Sequence, residues 1–454
     1  MKDLGINTRN IILILLIFII AFIPLIYYPS NNFTKVKIND DLFLKLAKDT
    51  ISLPKLYSLI VVITLLLGLT FLFWRDQKKV LLNNDNVIIY SVLFIFFVFL
   101  SSFFSEYTNR VILGKFSRWQ GLVSYTIYIL IFLFFFNYII NKKEIKKIVR
   151  ITFFSGMLVS LYGLLQIFNL DPIQHSEMMH EFNKRAFVTM GNPNFAGSYA
   201  VILLSISFIL YIFKSKAKIN KFYLFTTSMF YALLLATATR SSMLAFAIIF
   251  IFIILFFREY LLEHKKRIII LIIVFLIITF AIDIYQGGFI TNRIIDLVLD
   301  IQKFSGDETE RATIGSKRFT IYKYSFPLLL ENPIFGSGPD TFDKVFPQEQ
   351  YFKISNGITI VDKAHNEYLQ IGVTLGLPAL FFYLMLLGNI YKKGMRALKN
   401  LRNNINELNI YHVALFMGVV SYTIQALFNI SVVSVAPVFW AILGLNVAIS
   451  KMED

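Results

Sequence analysis

The sequence predicts an all-α polytopic integral membrane protein, with about 12 transmembrane helices and a large helical extracytoplasmic loop before the tenth. Three observations carry that prediction. Of 454 residues, 57% are hydrophobic and only 16% charged, and the mean hydropathy is +0.66; ordinary soluble domains carry about 25% charged residues. Uncharged apolar runs long enough to cross a bilayer recur along the whole chain, whereas the ~10-residue alternating segments of a membrane β-barrel are absent. Basic residues also concentrate in alternate connecting segments, the bias that orients helices in a membrane.

The spans fall at about 11–28, 56–74, 87–104, 122–140, 151–167, 195–213, 222–239, 241–257, 268–285, 368–391, 410–428 and 432–450. With the N-terminus inside, the cytoplasmic segments carry 24 Lys/Arg and 9 Asp/Glu, and the outer segments 20 and 18, with Asp283 inside a span. The net charge of +16 is therefore almost wholly internal. It reads as a topology signal, with contact to membrane lipid headgroups, and not as the footprint of a nucleic acid. The expected location is the cytoplasmic (inner) membrane, with both termini in the cytoplasm. The run 11–28 follows Lys2 and Arg9 as a secretory signal would. It is longer than a signal core and lacks a small-x-small cleavage site, so it is read as a retained span. The absence of cysteine excludes disulfides, thiolate catalysis and zinc–thiolate sites.

This divides the chain into helices 1–9 (1–285), a loop subdomain (286–367) and helices 10–12 (368–454), with no internal repeat visible. Among the outer segments, 29–55 is mixed in charge and uninformative. Segment 105–121 carries Arg118-Trp119, most simply an interfacial anchor. Segment 168–194 carries Lys184-Arg185 and ends in Gly191-Asn192-Pro193-Asn194. In the largest segment, 289–304 places Ile290, Ile294, Leu297, Val298 and Ile301 at the spacing of an amphipathic helix lying on the membrane. Ser316 is placed as the cap of a second helix running to about Leu330 and stopped by Glu331-Asn332-Pro333. Ile334-Phe335-Gly336-Ser337-Gly338-Pro339 then forms a tight turn.

Four groups of residues have chemistry to offer. Arg240 is the only charge between Phe222 and Phe257. Either it tips a tight outer hairpin, or it lies within the membrane, where an arginine costs roughly 2.5–3.5 kcal/mol at the bilayer centre. Its neighbours are small Ala, Thr and Ser residues, which suits an anion binder facing a cavity. Arg185 precedes Asn192-Pro193-Asn194, where Asn194 is placed to cap a span and present N–H groups to an anion. Arg318 shares a helix with Lys317 and Lys323, a basic face that is otherwise simply solvated. His365, one of five histidines, stands where the polar loop meets a span, with Asp362 three residues before it to orient the imidazole. His175 and His180 lie in a loop, His264 in a basic stub and His412 at the start of a span, so no metal site is expected.

Taken together, these segments resemble the O-antigen ligase/polymerase superfamily of membrane glycosyltransferases over roughly 110–390. His365-Asn366, followed after nine residues by Gly376, is similar to the family's His-[Asn/Ser/Gln]-x9-Gly-x-x-[Gly/Thr/Tyr] signature; Ala379 departs from its last position. Thr237-Ala238-Thr239-Arg240-Ser241 is similar to Thr-x-Ser-Arg-Gly, with two substitutions. Arg318 with Pro333, Gly336, Gly338 and Phe342 resembles the large-loop element. Arg185 with Gly191, Asn192 and Asn194 resembles the approach to a span.

The resemblance implies a GT-C-like arrangement and transfer of a glycan from undecaprenyl diphosphate to a hydroxyl of a glycan, lipid or protein acceptor, without cofactor. The active site would face outward. It implies catalytic roles for His365, Arg240 and Arg318, and substrate contacts from Arg185, Asn192, Asn194, Arg118, Lys323, Asn366 and Asp362. Arginine suits a leaving diphosphate, because its planar fork binds phosphate oxygens bidentately and keeps its charge. The Ile/Lys/Asn-rich composition fits a low-GC bacterium and leans toward a polymerase or a cell-wall or protein glycan transferase. A transporter or flippase for lipid-linked glycans is the competing class, although transporters often show repeats and midplane charges.

Overall fold

The computed structural model describes residues 2–28, 49–72, 85–173, 182, 185–214, 216–305, 308–355 and 360–453. His175, His180 and Lys184 lie outside the described residues. Within them every regular element is helical. Helix α1 (Lys2–Ile17) continues through a π turn, Phe18–Phe22, and a 3-10 turn, Ile23–Leu25. Then come α2 (Ser52–Leu72), α3 (Asn86–Phe103), α4 (Leu122–Tyr138), α5 (Lys142–Ile167), α6 (Pro193–Phe213), α7 (Ala217–Thr237), α8 (Arg240–Phe256) and α9 (Lys265–Tyr285). The long segment that follows α9 supplies α10 (Phe289–Gln302), α11 (Glu308–Glu331) and α12 (Gln348–Ser355). The chain closes with α13 (Glu367–Leu375), α14 (Leu377–Asn403), α15 (Glu407–Gln425) and α16 (Ala436–Ser450).

Helix lies within each predicted span. Six helical segments are by themselves long and apolar enough to cross a membrane: 8–25, α2, α3, α5, α6 and α9; α4, α8 and α16 are shorter apolar helices. The protein is thus a multi-pass membrane protein. Helix α6 is its central post, buried from Phe195 to Phe213 and packed against α7, α8 and α15. Helix α9 is the opposite case, exposing Ile273, Leu276, Ile277, Phe280 and Ile284 as a lipid-facing helix would.

Short polar side chains start several of these helices, each accepting an otherwise orphaned backbone N–H. Asp49 takes Ser52 N at 2.8 Å before α2, and Asn141 takes Glu144 N at 2.9 Å before α5. Asn406 takes Asn409 N at 2.9 Å before α15.

Two expectations are corrected here. The run 368–391 is not one helix: Gly376, at φ +89, separates α13 from α14. The freed backbone groups are met by the Pro333–Gly338 turn. Ser337 N donates to Val373 O at 3.1 Å, Gly338 N to Thr374 O at 2.8 Å, and Leu377 N to Pro333 O at 2.7 Å. A side chain at Gly336 would collide with the Thr374 backbone, so the turn docks only because that position is bare. Ser316 does not cap the second loop helix, because α11 begins at Glu308; Gly315 and Lys317, both at positive φ, distort it there instead.

The long segment has a small core of its own. Ile321, Leu328, Phe342, Phe346, Tyr351, Val361 and Ala364 pack with Leu369 and Val373 of α13. An acidic–basic zipper fastens it to segment 105–121. Asp340 is buried, ion-paired with the equally buried Lys363, and accepts Lys115 N at 2.6 Å and Gln120 N at 3.2 Å. Asp343 meets Arg110 at 2.8 Å. Removing one member of a buried pair leaves an uncompensated charge, so Lys363→Met is expected to cost about 3–5 kcal/mol. Thermal unfolding and faster limited proteolysis of the loop would show it, and Asp340→Asn in the same chain should recover part of the loss.

Candidate active site

Residues from five elements line one cavity of about 290 Å³: Arg185, Asn194, Ala238, Thr239, Arg240, Ser241, Arg293, Arg318 and His365. Two larger recesses, of about 540 and 650 Å³, lie elsewhere and gather no comparable set of cations.

Arg185 is delivered by the strand of loop before α6. Ala186 N donates to Ala236 O at 2.9 Å, while Gln166 of α5 accepts Phe187 N at 3.2 Å and Val188 N at 2.9 Å. The guanidinium is fixed in turn: Nε donates to Thr237 O at 2.8 Å, and Nη2 to Asn194 Oδ1 at 3.2 Å and Thr239 Oγ1 at 3.3 Å. The cap of α6 is Asn192, whose side chain accepts Asn194 N at 2.8 Å, and not Asn194 as expected. Pro193 at the first helical position makes the residue before it the cap.

Arg240 opens α8 at the tip of the α7–α8 hairpin, after Ala238 at φ +45. Its Nη1 meets Asp300 Oδ2 of α10 at 3.0 Å. The same helix brings Arg293, stacked 5.1 Å over the Phe289 ring, with a buried Nε that has no hydrogen-bond partner. Sequence reasoning missed Arg293, because only the apolar face of 289–304 drew attention. The spacing held the signal: Arg293 and Asp300, seven residues apart, lie on one helical face, opposite exposed Ile294, Ile295, Val298 and Leu299. Arg318 arrives from α11, one turn before Tyr322.

His365 stands at φ +50, a conformation a non-glycine residue adopts only where its surroundings enforce it. Tyr322 Oη lies 2.9 Å from both His365 O and Leu427 O and shares its one proton between them, tying down the backbone there. Asn366 then caps α13, accepting Leu369 N at 3.0 Å. The imidazole Nδ1 is buried without a partner. Asp362 therefore does not orient it; that carboxylate turns to Arg118 at 3.4 Å and Lys115 at 3.6 Å. Arg118 also sits 5.4 Å over the Phe195 ring and, like Asn192, Asn366, Asp362 and the exposed Lys323, is not among the cavity-lining residues. Ala379 is buried within α14.

The electrostatics follow from burial and like charge. Burial, then Arg293, Arg318 and Arg240, lowers the Arg185 guanidinium to about 10. Burial likewise lowers Arg293, with Arg240 adding to it, and Arg318. All remain charged near neutral pH. Burial and Arg318 push His365 down to about 3 against the pull of Asp362, so the imidazole is neutral and holds a free lone pair. Burial raises the Asp362 carboxyl, but Arg118, Lys363 and Lys115 outweigh it and hold it at about 2. Four guanidiniums in one small cavity repel one another, and an anion with several oxygens would relieve that repulsion. Among the described residues no three His, Asp or Glu side chains gather as a metal site.

No curated protein matches the chain. Residues 222–384 match the family described as O-antigen ligase. The matched stretch runs from α7 into α14 and contains Arg240, Arg293, Arg318 and His365, four of the five ionisable groups in the cavity. This is a multi-pass membrane protein whose residues 222–384 match the O-antigen ligase family.

Proposed function

We propose that this protein transfers a glycan from an undecaprenyl-diphosphate carrier to a hydroxyl acceptor at the outer face of the cytoplasmic membrane. The observation that carries the reading is the convergence of Arg185, Arg240, Arg293 and Arg318 on the cavity that also receives His365. In the reaction, the bond between the sugar anomeric carbon and the phosphate oxygen breaks, and its electron pair leaves on the diphosphate. Fixed guanidiniums in a water-poor cavity stabilise that charge as it develops, which removes the need for a general acid. His365, held neutral, accepts the proton of the attacking hydroxyl on its free lone pair. Attack from the side opposite the diphosphate would invert the anomeric centre.

The broken helix α13–α14 is a feature that transporters also use. Here its freed backbone groups are met by the Pro333–Gly338 turn, which favours a fixed catalytic scaffold over a moving gate.

The test is transfer by the purified chain from an undecaprenyl-diphosphate-linked glycan, comparing wild type with Arg293→Ala at matched amounts. Loss of one charged hydrogen-bonding group is expected to lower kcat/KM about 10–100-fold. A ladder of products would mark polymerisation, and a single addition ligation. Movement of intact donor across vesicles with no new glycosidic bond would replace this reading with a flippase.

A further inference from the structure

We propose that the donor's diphosphate is what makes His365 an effective base, so that acceptor activation is conditional on donor binding. The inference rests on the reading of the cavity as a diphosphate site.

Histidines that serve as bases are commonly steadied by a carboxylate on the second ring nitrogen. His365 has none: Nδ1 is buried without a partner, and Asp362 is committed to Arg118 and Lys115. What faces the ring instead is cationic. Arg318 comes from α11 beside Tyr322, Arg240 from α8, Arg293 from α10 and Arg185 from the loop before α6, all lining the cavity that the imidazole also lines. Arg118 and Lys363 add positive charge from behind, opposed by Asp362. A proton placed on the ring before the donor binds would add a fifth positive charge to this cavity.

A bound diphosphate reverses that balance. It neutralises the arginines and sets its own negative oxygens near the ring. An opposite charge within about 4–6 Å raises the affinity for a proton by about 1–3 pKa units. The cycle then closes in protons and electrons. The acceptor O–H gives its proton to His365 while its oxygen bonds the anomeric carbon, and the C–O bond to phosphate breaks with its electron pair on the diphosphate. The imidazolium passes the proton to the departing diphosphate or to water, and once the anion has gone the arginines disfavour any proton that remains. The base is reset by product release.

The experiment uses the full chain in detergent and inorganic pyrophosphate. Calorimetric titration at about pH 4.5, above the free ring's value of about 3 and within reach of a rise of about 1–3 units, in two buffers of different ionisation enthalpy counts protons taken up on binding. Wild type is expected to take up more protons per pyrophosphate than His365→Gln, with both binding in an Arg318-dependent manner. Equal uptake by the two, with binding intact, would overturn the coupling while leaving the diphosphate reading in place. No binding by wild type, or binding indifferent to Arg318→Ala and Arg240→Ala, would overturn both. If His365→Gln does not fold, wild-type kinetics decide instead. The acid limb of kcat, which reports the donor-loaded enzyme, should lie about 1–3 pH units above that of kcat/KM for the donor. Coincident limbs would sink the proposal.

Discussion

Replacing His365 with alanine is expected to lower the turnover of glycan transfer about 10²–10⁴-fold, the contribution of a positioned general base. Donor binding should change little, because the arginines that line the cavity remain in place. The expectation rests on the ring's condition more than on its identity. Burial and Arg318 keep it neutral, and Tyr322 bonds the backbone that carries it. Steady-state kinetics separate the outcomes: a fall in kcat at near-constant KM for the donor marks lost proton transfer, whereas a rise in KM alone would make His365 a binding residue. Full turnover by His365→Ala would remove it from the chemistry altogether.

The apolar runs made the helices legible, since a membrane leaves the backbone few alternatives. What they hid was the break at Gly376, because Leu375-Gly376-Leu377-Pro378 sits inside a continuous hydrophobic stretch. Hydropathy is blind to it, although a glycine two residues before a proline is a local cue for a helix start. The cavity itself was half legible. Arg185, Arg240, Arg318 and His365 stood out as charges against apolar or turn-forming surroundings, and the fold gathers them around one cavity. Arg293 did not stand out, because it shares a mixed-charge helix with Asp296 and Asp300.

Arg118 and Asp362 are the converse case. Arg118 reads in its own segment as an interfacial anchor and Asp362 as the orienter of His365, yet they pair with each other across 244 positions. Long-range pairing of this kind leaves no mark on local pattern, and it is what separates the zipper that holds the long segment from the cations that line the cavity. Asn192 and Asn366 are a milder case. Both lie beside cavity residues, and their side-chain oxygens are spent on helix N–H groups.

Arg318→Ala is expected to lower kcat about 10²–10³-fold, the loss seen when one group aimed at developing charge is removed. It is a cleaner probe than Arg240, whose removal would also take an ion-pair partner from Asp300 and leave it to Lys303. Arg318 lies on α11, outside the membrane-spanning helices, and the small core built on Ile321 and Leu328 does not depend on its side chain. Circular dichroism and thermal unfolding of the variant should therefore match wild type. Arg318→Lys then separates charge from shape. An ammonium keeps the charge but not the planar fork that grips two phosphate oxygens, so partial recovery is expected, with turnover remaining well below wild type. Wild-type turnover from Arg318→Lys would mean that a point charge suffices there, and that the arginines hold the diphosphate through summed field and not through bidentate grip.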